Sequence, residues 1–165
     1  MYLDEYKTFK SPKTGLTIER VRHYYIPKEK NYSIKKPENV AEIFEEAFDV
    51  SLLPEEYMWA LGLDVRGHAL GVFEVVHGSS DRAFVEISDI FKRLLLINAI
   101  GFIIVHNHPS GVPTPSKSDE EIAKRLIDAG ELLRIKMADF MILCNEHDYF
   151  SFRTEGLLKE DDENS

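Results

Sequence analysis

The chain carries one cysteine in 165 residues, Cys144, so an internal disulfide is impossible. Cys144 ends the apolar run Phe140-Met141-Ile142-Leu143-Cys144 and reads as a small core residue. Long apolar stretches are also missing. None approaches the roughly 18 residues that a membrane-spanning helix requires. The first residues, Met1-Tyr2-Leu3-Asp4-Glu5-Tyr6, have acids where a secretion signal has bases, and no apolar segment follows them. These absences predict a cytoplasmic protein with no membrane partner. Positive charge is scarce as well, with 20 Lys and Arg against 29 Asp and Glu and a net charge of −9. The shortage is uneven. Residues 1–36 hold nine basic and four acidic side chains, and the remainder holds eleven and twenty-five. A body this acidic argues against duplex DNA as a partner, because non-specific binding depends on neutralising phosphates. Only the basic N-terminal arm offers a nucleic acid any attraction, and its lysines are dispersed as on a solvated segment. Repeats are absent.

What is present is an ordinary globular composition, 44% hydrophobic and 30% charged, long enough for one domain with a sizeable core. Leu16 to Val21 alternates apolar and polar residues as a half-buried strand does, with Tyr24-Tyr25-Ile26 continuing it and Pro27 ending it. Helical spacing of Val40, Ile43, Phe44 and Ala47 predicts a helix over 37–48, opened by Pro37. The β-rich runs 57–63 and 69–76 flank a turn marked by Gly67 and predict a hairpin. Residues 87–98 read as a helix apolar over most of its circumference, hence largely buried. The run 99–105 reads as a buried strand, 119–133 as a helix with Gly130 weakening its last turn, and 136–144 with 149–152 as a closing hairpin. An acidic tail from Lys159 is expected to be disordered. The fold class is mixed α/β: a central sheet, mostly of antiparallel hairpins, flanked by helices.

Chemistry concentrates after the buried strand, in Val105-His106-Asn107-His108-Pro109-Ser110-Gly111, then Pro113-Thr114-Pro115-Ser116 and Asp119. Two histidines at i, i+2 on an extended strand point the same way. A loop stiffened by Pro109, Pro113 and Pro115 has its path set in advance, and Ser116-Lys117-Ser118-Asp119 has the form of a helix start. Strand, loop and helix therefore converge, and His106, His108 and Asp119 become candidate ligands for one Zn²⁺ per chain. A fourth position stays open for water, as in a catalytic zinc site.

His106-x-His108, seven residues to Ser116, then x-x-Asp119, resembles the JAMM motif of the JAB/MPN zinc metalloproteases. The fuller string HNHPSG-x-PTPS-x-x-D, with similarity from about Val65 to Leu158, is similar to the bacterial RadC family. Phe91-Lys92-Arg93 and Tyr149 to Arg153 add to that likeness. Ile87-Ser88-Asp89 departs from it, standing where RadC proteins usually have Pro-Arg-Glu. The resemblance leaves residues 1–50 uncovered, and no helix-hairpin-helix region is evident. It divides the chain into an N-terminal arm and helix (1–50), a RadC-like JAB/MPN domain (51–158) and the acidic tail (159–165), within one globular unit.

The resemblance implies a zinc-dependent hydrolase that cleaves peptide or isopeptide bonds with a glutamate as general base. Glu74, interrupting the apolar run Val72 to Val76, is the first candidate, since a carboxylate buried there would need a partner. An outward-facing strand residue is the equal alternative, and Glu86 is held in reserve. Ser116 matches the serine that stabilises the oxyanion, with a plain helix cap as its alternative. Asn107 should point away from the metal. His23, His68 and His147 are expected at the surface, while His77 could line the cleft. Two other functions compete: a DNA-repair-associated factor and a non-catalytic MPN scaffold. The latter class has usually lost the ligand set that this chain retains. The resemblance names neither the peptide or protein substrate nor an oligomeric state.

Overall fold

The computed structural model describes residues 2–11, 15–25, 34, 36–78 and 85–158. The expected tail from Lys159, and Ile26 with Pro27 at the end of the predicted first strand, lie outside these residues. Seven strands form one sheet: β1 (Tyr2–Ser11), β2 (Gly15–Tyr25), β3 (Tyr57–Leu63), β4 (Ala69–His77), β5 (Gly101–Asn107), β6 (Lys136–Leu143) and β7 (Tyr149–Ser151). Their order across the sheet is β2-β1-β4-β3-β5-β6-β7. Most neighbours are antiparallel, with β1–β4 and β5–β6 parallel. Helices α1 (Pro37–Phe48), α2 (Ile87–Leu96) and α3 (Lys117–Leu133) flank the sheet. Among the described residues, no helix is long and apolar enough to cross a membrane.

The sheet separates two cores. On one face, Val40, Ile43 and Phe44 of α1 pack on Leu3, Trp59, Leu61, Val72, Ile103 and Val105. On the other, Ile90, Phe91 and Leu94 of α2 and Ile122 and Leu126 of α3 pack on Met58, Ala60, Phe102, Ile104, Phe140 and Ile142. The unbroken apolar run of β5 follows from this arrangement, because a strand covered on both faces has no polar side. Alternation then assigns the residues that follow. His106 continues the face of Phe102 and Ile104, and Asn107 the face of Ile103 and Val105.

The predicted hairpin over 57–63 and 69–76 forms as β3 and β4, and α1 spans the expected twelve residues. The first fifty residues are more than an arm and a helix. β1 is a strand that the sequence reading missed, and it joins β4 in parallel at Glu5–Val72, so β1 and β2 extend the central sheet. α2 is amphipathic rather than buried all round. It stops at Leu96, leaving Leu95 54% exposed while Ile90 and Leu94 are fully covered.

Gly130 does not shorten α3, which continues to Leu133. The chain turns back so tightly after the helix that Ile135 N–H donates to the Gly130 carbonyl at 2.9 Å. A Cβ at position 130 would lie 2.6 Å from the Ile135 carbonyl oxygen, so this close approach requires glycine. Cys144 falls one residue beyond β6 and is only half-buried.

Candidate metal centre

β5 delivers His106 inside the strand and His108 immediately beyond it, where His108 N–H still donates to the Leu143 carbonyl of β6 at 2.8 Å. Both rings are nearly inaccessible, and their centroids lie 4.8 Å apart with perpendicular planes. Each ring is fixed by a backbone carbonyl. His106 Nδ1 donates to Tyr57 O at 2.6 Å, and His108 Nδ1 to Val112 O at 2.8 Å. A carbonyl can only accept, so it fixes a proton on Nδ1 and leaves Nε2 as the atom turned toward a metal position. The second carbonyl belongs to the stiff loop, where Gly111, at φ +74°, follows a turn closed by its N–H on His108 O at 3.0 Å.

Both buried Nε2 atoms are directed at Asp119, which is fully covered. His106 Nε2 stands 3.7 Å from Oδ1, and His108 Nε2 stands 3.6 Å from Oδ2. These separations exceed an ordinary hydrogen bond. Asp119 reaches this position as the third residue of α3. Ser116 caps the helix: Asp119 N–H donates to Ser116 Oγ at 3.2 Å, while Ser116 N–H and Oγ–H donate to Asp119 Oδ2 at 2.7 and 2.6 Å. Burial pushes the Asp119 carboxyl pKa up, but His108, the Ser116 hydroxyl and N–H, and His106 outweigh burial and hold it well below the usual carboxylate range. A carboxylate that favours its ionised form, faced by two imidazole Nε2 atoms, is a hard-oxygen, borderline-nitrogen donor set that fits a divalent ion such as zinc. The carbonyl that accepts from each histidine's far N–H, which sets ligand orientation in metal sites, is also in place.

A second carboxylate joins from a place that the sequence reading passed over. Glu56, half-buried, lies just before β3, and its oxygen and the ring nitrogens of His106 and His108 all fall within 4.8 Å of one another. Strand register explains its arrival. Met58 pairs with His106 across the antiparallel β3–β5 ladder, so extending that register by two residues sets Glu56 opposite His108. Asn107, turned to the other side as expected, holds this segment. Its Oδ1 accepts from Tyr57 N–H at 2.5 Å and its Nδ2 donates to Glu55 O at 2.9 Å.

Glu74 is not brought to the histidines. It pairs with Trp59, the neighbour of Met58, and therefore lies on the α1 face of the sheet. There it lines a cavity of about 390 Å³ with Glu5, Arg22, Trp59 and His77. The sequence reading held Glu74 equally as a base near the metal and as an outward-facing strand residue; it is half-buried, on the sheet face opposite the histidines. His77 lines the same cavity and contacts Glu55 at 2.8 Å. Glu86 is exposed at the start of α2. His23, His68 and His147 are exposed, beside Asp4, Asp64 and Glu146 respectively. Ser116 is engaged as the cap of α3 and as a donor to Asp119, in keeping with the capping alternative.

Residues 34–157 match the family model of the RadC-like JAB domain. Curated relatives include a UPF0758 protein of Thermotoga maritima, 37% identical over 124 residues, which are 75% of this chain and 55% of the relative. A UPF0758 protein of Chloroflexus aurantiacus is 36% identical over 129 residues, 78% of this chain and 55% of the relative. A third, from Desulforudis audaxviator, is 34% identical over 132 residues, 80% and 56% of the two chains. The chain thus spans about half the length of the curated relatives it matches.

Proposed function

The chain belongs to the RadC-like JAB family, and from that premise we propose that it is a zinc-dependent hydrolase cleaving a peptide or isopeptide bond in a peptide or protein substrate. One observation carries the proposal. Two buried imidazoles, each held by a carbonyl in the Nδ1–H form, turn their Nε2 atoms toward one carboxylate across gaps of 3.6 and 3.7 Å.

His106, His108 and Asp119 are the residues that would hold the metal, with Ser116 keeping Asp119 oriented. When bound there, zinc supplies Lewis acidity, which polarises a carbonyl and makes water nucleophilic near neutral pH. Glu56 is the general base. It sits beside the histidine pair, and its partial exposure leaves it in reach of water. Its carboxylate takes a proton from the attacking water and returns it to the leaving amine. Ser116 acts on the reaction through Asp119, because its hydroxyl proton is already committed to Oδ2.

Metal analysis of protein purified without chelator tests the site, with one zinc per chain expected. His106→Ala should lose the metal. Glu56→Gln should keep it and lose hydrolysis of internally quenched peptides by about 100-fold or more, the scale of general-base catalysis. Glu74→Gln should change neither. A protein that neither retains nor takes up zinc refutes the metal reading. Full activity in Glu56→Gln refutes the base.

A further inference from the structure

We propose that Asn107 is a positioning residue that fixes the direction of Glu56, so the His-Asn-His tripeptide of β5 sets both the metal ligands and the base. The inference rests on the function proposed above and adds a role for the central residue of the motif.

Asn107 is 1% exposed. A buried carboxamide is costly unless both its ends are satisfied. Here one end accepts from Tyr57 N–H and the other donates to Glu55 O. These two groups belong to the peptide planes on either side of the Glu56 Cα. A planar carboxamide that bridges both planes fixes their relative rotation, which means φ and ψ of Glu56. With those angles set, the Cα–Cβ bond of Glu56 has one direction, toward His106 and His108.

The ladder shows what the side chain replaces. Paired residues run from Leu63–Gly101 to Met58–His106, and the next rung would be Tyr57–Asn107. At that rung the Asn107 side chain takes the place of strand backbone, and it reaches two residues further to Glu55. Two other contacts steady the same segment: His106 Nδ1 donates to Tyr57 O, and Gly78 N–H donates to Glu56 O at 3.0 Å. The end of β5 and the residue after it therefore carry the two histidines on one face and the clamp on the other. The distance from base to ligands is then a property of a rigid strand rather than of a loop.

The chemistry is specific to asparagine. Aspartate would keep the acceptor for Tyr57 N–H but set a second oxygen against the Glu55 carbonyl. Alanine would lose both contacts.

Azide binding to the Co²⁺-loaded protein, followed by visible absorption, tests the clamp without a substrate. A carboxylate held near the open metal position repels the anion. Glu56→Gln should therefore tighten azide binding by about tenfold or more. Asn107→Ala should tighten it by roughly three- to tenfold as Glu56 swings away, with Co²⁺ affinity unchanged. The double variant should match Glu56→Gln alone, because a base already removed cannot be misplaced. Asn107→Ser, which stays neutral and is too short to bridge both peptide planes, should shift azide affinity in the same direction. It thus serves if the alanine variant does not fold.

Wild-type azide affinity in a folded, Co²⁺-loaded Asn107→Ala or Asn107→Ser protein overturns the clamp while leaving the metal site standing. An additive double variant also overturns it. Failure of the wild-type protein to take up Co²⁺ overturns the metal reading itself, and the clamp with it.

Discussion

Ser116→Ala removes a hydroxyl that serves Asp119 twice, accepting from its N–H and donating to its Oδ2. The two losses differ in kind. Without the acceptor, the first turn of α3 loses its side-chain cap, a cost of about 1 kcal/mol. Without the donor, a buried carboxylate loses a charge-assisted bond, worth about 1.5–3 kcal/mol. Ser116 N–H stays on Oδ2 and softens the second loss. We expect a total destabilisation of about 2–4 kcal/mol, or a melting temperature roughly 5–12 °C lower for a domain of this size. Urea denaturation in the presence of EDTA is the appropriate assay, since bound metal would mask the effect by mass action. Ser116→Thr, which keeps the hydroxyl, should stay close to wild type. Ser116→Asp separates the two contributions. Aspartate caps a helix as well as serine does, but it cannot donate to Asp119 and sets a second carboxylate beside the first. It should therefore be at least as damaging as alanine. A Ser116→Ala protein within about 0.5 kcal/mol of wild type, or a Ser116→Asp protein as stable as wild type, would refute the reasoning.

Gly130→Ala should destabilise the protein by about 1–3 kcal/mol through a clash with the Ile135 carbonyl, although alanine is by propensity the better helix former. A gain in melting temperature would count against the close approach. Asp139, 1% exposed, has its carboxyl pKa raised by burial, with Ser151, Arg153 and Phe140 only partly offsetting it. A folded pKa above the unfolded one contributes stability that is full below the unfolded value and lost as pH rises through the folded value. Asp139→Asn removes that loss. The stability of wild type relative to the variant should therefore fall as pH rises above about 4, the unfolded value, read from urea midpoints, and a rise would reverse the assignment.

The candidate centre divides into a part that was legible in the sequence and a part that was not. His106, His108, Ser116 and Asp119 lie within one strand, one loop and one helix start. Their convergence follows from the period of a strand and the geometry of a cap, both local. The helix over 37–48 and the hairpin at Gly67 were readable for the same reason. Glu56 was not, because its place beside His108 depends on the pairing of β3 with β5, fifty residues away. Glu74 shows the converse. Its apolar neighbours made it a candidate, but a sheet with a core on each face has two sides to which an acid can turn, and residue pattern does not say which one holds the histidines. β1 joined the sheet through a parallel contact to β4 that no local signal announced. By itself the sequence determined the elements and the ligand geometry carried on contiguous backbone. Only the tertiary structure decided which acid meets the histidines, because a side chain's face is local while its neighbour across the sheet depends on register.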